Sequence, residues 1–160
     1  MSDTTELVAA LRKRGWTVGI AESLTGGALA AEIVTVPGAS ETLLGAVVAY
    51  ATSLKESLLN VDAQLLRDHG PVHPRVAEQM AVGVRATVAA GRRPADIGIS
   101  TTGIAGPDSP DGQPVGTVHI GVAAPAGVRV ASFMFAGDRA SIRSQTVAAA
   151  ISLACDRVRE

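Results

Sequence analysis

One cysteine, one tryptophan, one tyrosine and two phenylalanines are all that 160 residues carry of those types, and each scarcity removes a class of function. A lone Cys155 excludes an internal disulfide and is compatible with a reducing compartment; its expected role is that of a small buried hydrophobe. Excess positive charge is also missing. The formal net charge is -1, and no cluster of Lys and Arg with interleaved aromatics offers a field for phosphate backbones, so nucleic acid is not an expected partner. No uncharged apolar run approaches the roughly 20 residues of a membrane span, and the polar start Met1-Ser2-Asp3-Thr4-Thr5-Glu6 is unlike a signal peptide. The expectation is a soluble, cytoplasmic protein with no membrane partner. Several marked motifs are absent too. There is no Gly-x-x-x-x-Gly-Lys-Ser/Thr loop, no Gly-x-Gly-x-x-Gly after a strand and no His-Glu-x-x-His, and Ser23 lacks the flanking glycines of a hydrolase nucleophile elbow. Nucleotide hydrolysis, dinucleotide redox and zinc chemistry lose support. A metal site drawn from His69, His73 and His119 with Asp108, Asp111 or Asp138 has no ligand spacing behind it, and none is expected.

What is present is an apolar fraction of 47%, made of Ala, Val, Ile and Leu. A chain of this length buries roughly 70% of the surface its unfolded form exposes, enough for one core, and residues 1–160 read as a single domain. The pattern predicts a first helix at about 4–14, a strand from Trp16 to Ala21, and a helix from Ala28 to Val34. A second buried strand is predicted from Gly45 to Tyr50, followed by a helix that contains Lys55 and is capped by Thr52 and Ser53. Asp62 caps Ala63 to His69, and Pro74 opens a longer helix with Val76, Met80, Val84 and Val88 at four-residue spacing up to Gly91. A strand from Asp96 to Thr101, a hairpin of Val115 to Ala124 with Val128 to Phe135, and a final helix from Arg139 to about Arg157 complete the order. The hairpin makes the predicted sheet mixed.

The chain centres on Ala21-Glu22-Ser23-Leu24-Thr25-Gly26-Gly27. Hydroxyls and paired glycines at a strand-to-helix turn can set a side-chain oxygen beside free backbone N–H groups, which suits a serine nucleophile and its developing negative charge. The same residues also serve as helix caps and turn formers. Tyr50 and Thr102 stand at the ends of two other predicted strands, and Lys55 one turn into the helix after the second. In open α/β sheets ligands collect at those ends. Lys55 can take the Ser23 proton once burial lowers its pKa, and Tyr50 can position or relay that proton. Otherwise Lys55 solvates a helix surface, Tyr50 packs in the core and Thr102 caps a turn. Arg139 and Arg143, four apart, project to one side of the last helix, as a phosphate-binding pair or as a solvated face.

Ala21-Glu22-Ser23-x-Thr25-Gly26-Gly27, Tyr50 with Lys55, Thr102-Gly103-Ile104-Ala105-Gly106-Pro107-Asp108, Pro114-Val115-Gly116-Thr117-Val118 and Gly137-Asp138-Arg139-x-x-x-Arg143 together resemble the C-terminal domain of the CinA proteins, the nicotinamide-nucleotide amidase family. The blocks keep the family order from about Trp16 to the C-terminus. The resemblance implies a three-layer α/β/α sandwich with a mixed, mostly parallel sheet of about five strands, in the stand-alone form without an N-terminal molybdopterin-binding-like domain. It implies hydrolysis of the carboxamide of nicotinamide mononucleotide to nicotinate mononucleotide and ammonia, in pyridine nucleotide recycling, with no metal or organic cofactor. Ser23 would be the nucleophile, Lys55 its base and Tyr50 a relay partner. Thr25, Gly26, Gly27, Thr102, Gly103 and Gly106 would contact substrate, and Arg143, or second Arg139, would hold the phosphate. Two departures from the family stand out: Ala51-Thr52 where Ser-Asn is frequent, and Asp108-Ser109-Pro110-Asp111-Gly112 where a Gly-rich run is frequent. They keep a second expectation open, a nucleotide-binding module of the same fold with little or no turnover. A homo-oligomer is compatible with the apolar helices, although no stripe marks the contact.

Overall fold

The structure is a computed structural model that describes residues 3–160; Met1 and Ser2 of the acidic start lie outside the described residues. Helix α1 (Asp3–Arg14) leads into strand β1 (Val18–Glu22), then α2 (Ala28–Val34), a 3-10 turn at Ala39–Glu41 and β2 (Leu43–Val48). Helices α3 (Thr52–Leu59), α4 (Ala63–His69) and α5 (Pro74–Thr87) follow, then β3 (Ile97–Gly103), the hairpin β4 (Thr117–Ala124) and β5 (Gly127–Met134), and α6 (Arg139–Arg159). The sheet order is β2-β1-β3-β4-β5. β1 is parallel to β2 and β3, and the hairpin adds two antiparallel pairings. Only β4 therefore runs against the other strands, and the sheet is mixed and mostly parallel, as expected.

Two apolar clusters fix the layers. One joins Ile20, Ile99 and Ile120 of the sheet to Leu7 and Leu11 of α1, Leu29 and Ile33 of α2, and Ile142 and Ala154 of α6. The other sets Ala21 against Leu59, Leu65, Met80 and Val84 of α3, α4 and α5. α5 reaches the sheet because the strands offer glycine beneath it: a Cβ on Gly98 would sit 1.9 Å from the Ala81 carbonyl oxygen, and one on Gly121 2.5 Å from that of Ala77. The connection from β1 to β2 crosses on the α2 face, and that from β2 to β3 on the α5 face. The crevice at the strands' carboxyl ends beside β1 is thus a topological switch point, where α/β sheets place ligands.

Several boundaries differ from expectation for tertiary reasons. β2 is not a buried strand; it is the sheet edge, with alternate residues such as Val48 exposed. It ends at Val48, so Tyr50 lies in the loop beyond. Thr52 and Ser53 are helical rather than caps, and Ala51 holds the N-cap position with no side-chain bond. α5 stops at Thr87, short of Gly91. The buried face of α6 runs through Ile142, Thr146, Ala150 and Ala154, while Ala149 and Leu153 are only half-buried beside it. Asp62 and Asp138 cap α4 and α6 as read from the sequence, accepting from Gln64 N and Ser141 N at 2.8 Å each.

Candidate active site

Ser23 follows β1 directly, and its Oγ accepts a hydrogen bond from Lys55 Nζ at 3.0 Å. Lys55 is 1% exposed and also donates to the Ala49 carbonyl at 2.7 Å. Ala49 N in turn donates to the Glu22 carbonyl at 2.9 Å, so the backbone that receives the lysine is tied to the residue before the serine. Among the described residues no carboxylate pairs with Lys55. Burial therefore acts unopposed, and it lowers the ammonium pKa from 10.5 to about 8. A neutral amine is then accessible near physiological pH, within hydrogen-bond reach of a hydroxyl.

The turn that presents Ser23 is held from three directions. The Glu22 side chain is fully buried, and its carboxylate accepts from the N–H groups of Gly27, Leu29 and Ala30 at 3.1, 2.9 and 3.1 Å. From β3, Thr101 Oγ1 accepts from Ser23 N at 3.4 Å and pairs with Thr25 Oγ1 at 2.8 Å. From α6, Arg143 donates Nε to the Leu24 carbonyl and Nη2 to the Thr25 carbonyl, both at 2.9 Å. The N–H groups at the start of α2 are therefore not free for developing negative charge, contrary to the sequence reading. A buried carboxylate needs several donors, and the first turn of a helix supplies them together with its positive dipole end.

Ser23, Tyr50, Lys55, Thr102, Gly103, Gly106 and Arg139 line one cavity of about 570 Å³, within the roughly 300–1,000 Å³ of small-molecule sites. Thr25, Gly26, Gly27 and Arg143 stand outside that lining. The fully buried Thr25 turns to Thr101, and Gly26 and Gly27, at φ 60° and 104°, give the turn its curvature. Arg139, the second choice for an anion, is the arginine in the wall; it donates Nη1 to the Gly106 carbonyl at 2.7 Å and Nη2 to Tyr50 Oη at 2.9 Å. Tyr50 is 58% exposed and its hydroxyl meets Arg139, not Ser23 or Lys55, so it sits as a rim residue. Thr102 Oγ1 donates to the Pro71 carbonyl at 2.7 Å, which joins β3 to the loop before α5.

Sequence reasoning missed Glu22, Thr101 and the Ala49 carbonyl as parts of this site, and Asp108 and Asp111 as residues of its wall. Glu22 had a signal: an acidic residue closing an otherwise apolar strand needs partners. The histidines are used locally. His73 Nδ1 accepts from Arg75 N at 3.2 Å and His119 Nδ1 pairs with Ser132 Oγ at 2.8 Å. Among the described residues no group of three or more His, Cys, Asp or Glu could hold a metal ion, and no helix is long and apolar enough to cross a membrane.

Known proteins share this sequence pattern and this fold. The CinA C-terminal domain profile matches residues 2–158. A CinA-like protein of Frankia casuarinae is 46% identical over 143 residues, covering 89% of this chain and 32% of that protein. A putative competence-damage inducible protein of Desulforamulus reducens is 44% identical over 140 residues, covering 88% and 33%. The chain thus spans about a third of the length of these relatives. A crystal structure of a CinA superfamily protein from Klebsiella pneumoniae superposes with a TM-score of 0.90 at 31% identity, covering 98% of this chain and 96% of that one. A competence/damage inducible protein from Agrobacterium tumefaciens gives 0.88 at 29% identity, covering 100% and 98%. With its profile matched almost from end to end and its fold shared with solved members, the chain belongs to the CinA C-terminal domain family.

Proposed function

We propose that this site is a serine–lysine amidase that hydrolyses the carboxamide of nicotinamide mononucleotide to nicotinate mononucleotide and ammonia. The observation that carries the reading is the buried contact of 3.0 Å between Lys55 Nζ and Ser23 Oγ, with no competing carboxylate among the described residues. Neutral Lys55 takes the hydroxyl proton as Ser23 Oγ bonds to the carboxamide carbon, and the carbonyl electron pair moves to oxygen. The pair returns as the C–N bond breaks, and the Lys55 ammonium gives its proton to the departing nitrogen, which leaves as ammonia. Lys55, neutral again, deprotonates water for attack on the serine ester. Collapse releases the carboxylic acid and restores the Ser23 hydroxyl with the proton from Lys55.

The substrate choice rests on the family resemblance and on wall chemistry. Arg139 offers a planar donor pair for a phosphate, and the Asp108 and Asp111 carboxylates share the wall with room for a cationic pyridinium ring. The test is ammonia release from nicotinamide mononucleotide by purified protein, beside a folded Ser23→Ala variant. Release by the wild type alone supports the assignment, and equal release by both removes the nucleophile. Saturable binding without ammonia over hours identifies a nucleotide-binding module instead.

A further inference from the structure

Arg143 is aimed at peptide carbonyls rather than at the cavity, and this bears on the oxyanion that amide attack would create. Its guanidinium holds two successive carbonyls of the turn, those of Leu24 and Thr25. It approaches from a second cavity, between α1, α2 and α6, whose lining it shares with Ala28 and Glu32. A trans peptide points its C=O and N–H in opposite directions. With the Leu24 carbonyl drawn toward Arg143, the Thr25 N–H is turned away from that cavity, toward the Ser23 side of the turn. The Ser23 carbonyl is likewise engaged, by Gly26 N at 3.0 Å, which directs the Leu24 N–H away from Gly26. Among the described residues, neither the Leu24 N–H nor the Thr25 N–H donates to any group. They belong to the two residues that follow the nucleophile; Leu24 lines the cavity, and the fully buried Thr25 lies behind that lining.

We propose that the Leu24 N–H, the one of the two on the cavity lining, is the backbone donor of the oxyanion hole, and that Arg143 is a positioning residue: by holding the Thr25 carbonyl it turns the Gly26 N–H of the same peptide onto the Ser23 carbonyl, which fixes the direction of the Leu24 N–H. The inference rests on Ser23 being the nucleophile, as in the function proposed above, but not on the identity of the amide. It also replaces the phosphate-holding role that the sequence suggested for this arginine.

The two roles part in kinetics. Loss of a positioning group lowers kcat and leaves KM nearly unchanged, whether or not the substrate carries a phosphate; loss of a phosphate ligand raises KM for the phosphorylated substrate alone. Ammonia release is measured for wild type, Arg143→Ala and Arg143→Lys on nicotinamide mononucleotide and on its dephosphorylated riboside. The expected result is a kcat lower by about 10²–10³ for Arg143→Ala on both substrates, the range found when an oxyanion donor is removed. Arg143→Lys, which keeps one donor on the carbonyls, should recover part of the loss. A KM increase confined to the mononucleotide, or unchanged kinetics, overturns the proposal. Reaction of Ser23 with an alkyl fluorophosphonate, whose P=O oxygen occupies the same hole, separates this from failure of the substrate assignment. Wild type that labels but releases no ammonia removes the proposed substrate only, and the labelling rates of the Arg143 variants then decide, slower labelling supporting the hole and equal labelling overturning it. Wild type that neither labels nor releases ammonia overturns both. Circular dichroism establishes that each variant is folded; if Arg143→Ala is not, the Arg143→Lys kinetics decide by the same criteria.

Discussion

The loops that leave β1 and β3 stand side by side at the carboxyl ends of these neighbouring strands, yet they are built in opposite ways. The turn after β1 is five residues long, and a buried carboxylate, a threonine pair and a guanidinium hold it from behind. The stretch after β3, from Ile104 to Gly116, crosses the mouth of the cavity with Pro107, Asp108 and Asp111 exposed. Its two ends are tied, by bonds such as Ile104 N to the Thr117 carbonyl, Gly116 N to the Ile104 carbonyl, Arg139 to the Gly106 carbonyl and Gln113 Nε2 to the Val72 carbonyl, but among the described residues the tip from Pro107 to Gly112 has only the internal bond from Gly112 N to the Ser109 carbonyl. Chemistry needs reacting groups held to fractions of an ångström, whereas recognition at a rim tolerates change. Under the proposed function, the contrast would give bond-breaking to the first loop and selection of substrate to the second.

Substitutions at the locked end should have the largest effects. Ser23→Ala and Lys55→Met should each lower ammonia release by a factor on the order of 10³ or more, measured at saturating substrate. Lys55→Met should also change stability in the opposite sense. The folded-state pKa of about 8 lies below the ordinary 10.5, so below pH 8 the wild type bears the full cost of burying a charge, of order 3 kcal/mol before its hydrogen bonds are counted. That cost falls as pH rises between about 8 and 10.5, where the unfolded chain binds the extra proton. Lys55→Met should therefore melt above wild type at pH 7, with the gap closing toward pH 10. A gap independent of pH would show that Lys55 is not desolvated. Glu22→Gln keeps the shape but turns an amide group toward backbone donors, leaving some without a partner. A loss of about 1–3 kcal/mol is expected, read as a fall in Tm, together with reduced kcat.

Effects at the open loop, and at Arg139 of α6 which ties it, should be smaller and fall mainly on KM. Arg139→Ala should raise KM for the mononucleotide roughly tenfold or more, with kcat less altered, since a charge-assisted contact is worth about 1.5–3 kcal/mol. The double variant Asp108→Asn, Asp111→Asn should be the mildest, within about fivefold in KM and stronger at low salt, because exposed charges are screened. A kcat loss at Asp108 and Asp111 as large as that at Lys55 would erase the distinction between the two loops.

What could be read from the sequence follows the same division. Local signals sufficed for α2 and α4, whose bounds Ala28–Val34 and Ala63–His69 are set by adjacent glycine, Asp62 and Gly70. The conjunction of Ser23 with Lys55 was legible from strand-end placement, which the parallel pairings of β1 with β2 and β3 then supply. Roles set by long-range direction were not. Spacing puts Arg139 and Arg143 on one side of α6, but only the path of that helix past the Ser23 turn decides that one enters the cavity and the other the carbonyls. Tyr50 was misplaced for a related reason: β2 is an edge strand that ends at Val48, so the phenol swings to the rim. Glu22 stood in the sequence only as a member of the turn motif, and its part shows once the helix whose N–H groups it accepts is set beside it.

The central claim is that Lys55 is neutral often enough, near working pH, to serve Ser23. The chain has only two lysines, Lys13 and Lys55, so lysine labelled at Cε and Nζ gives two resonances, with exposed Lys13 as internal reference. An NMR titration of the folded protein should show one lysine resonance titrating near 8, and that resonance should vanish in Lys55→Met. A Lys55 resonance titrating at the ordinary lysine value of 10.5 would contradict it.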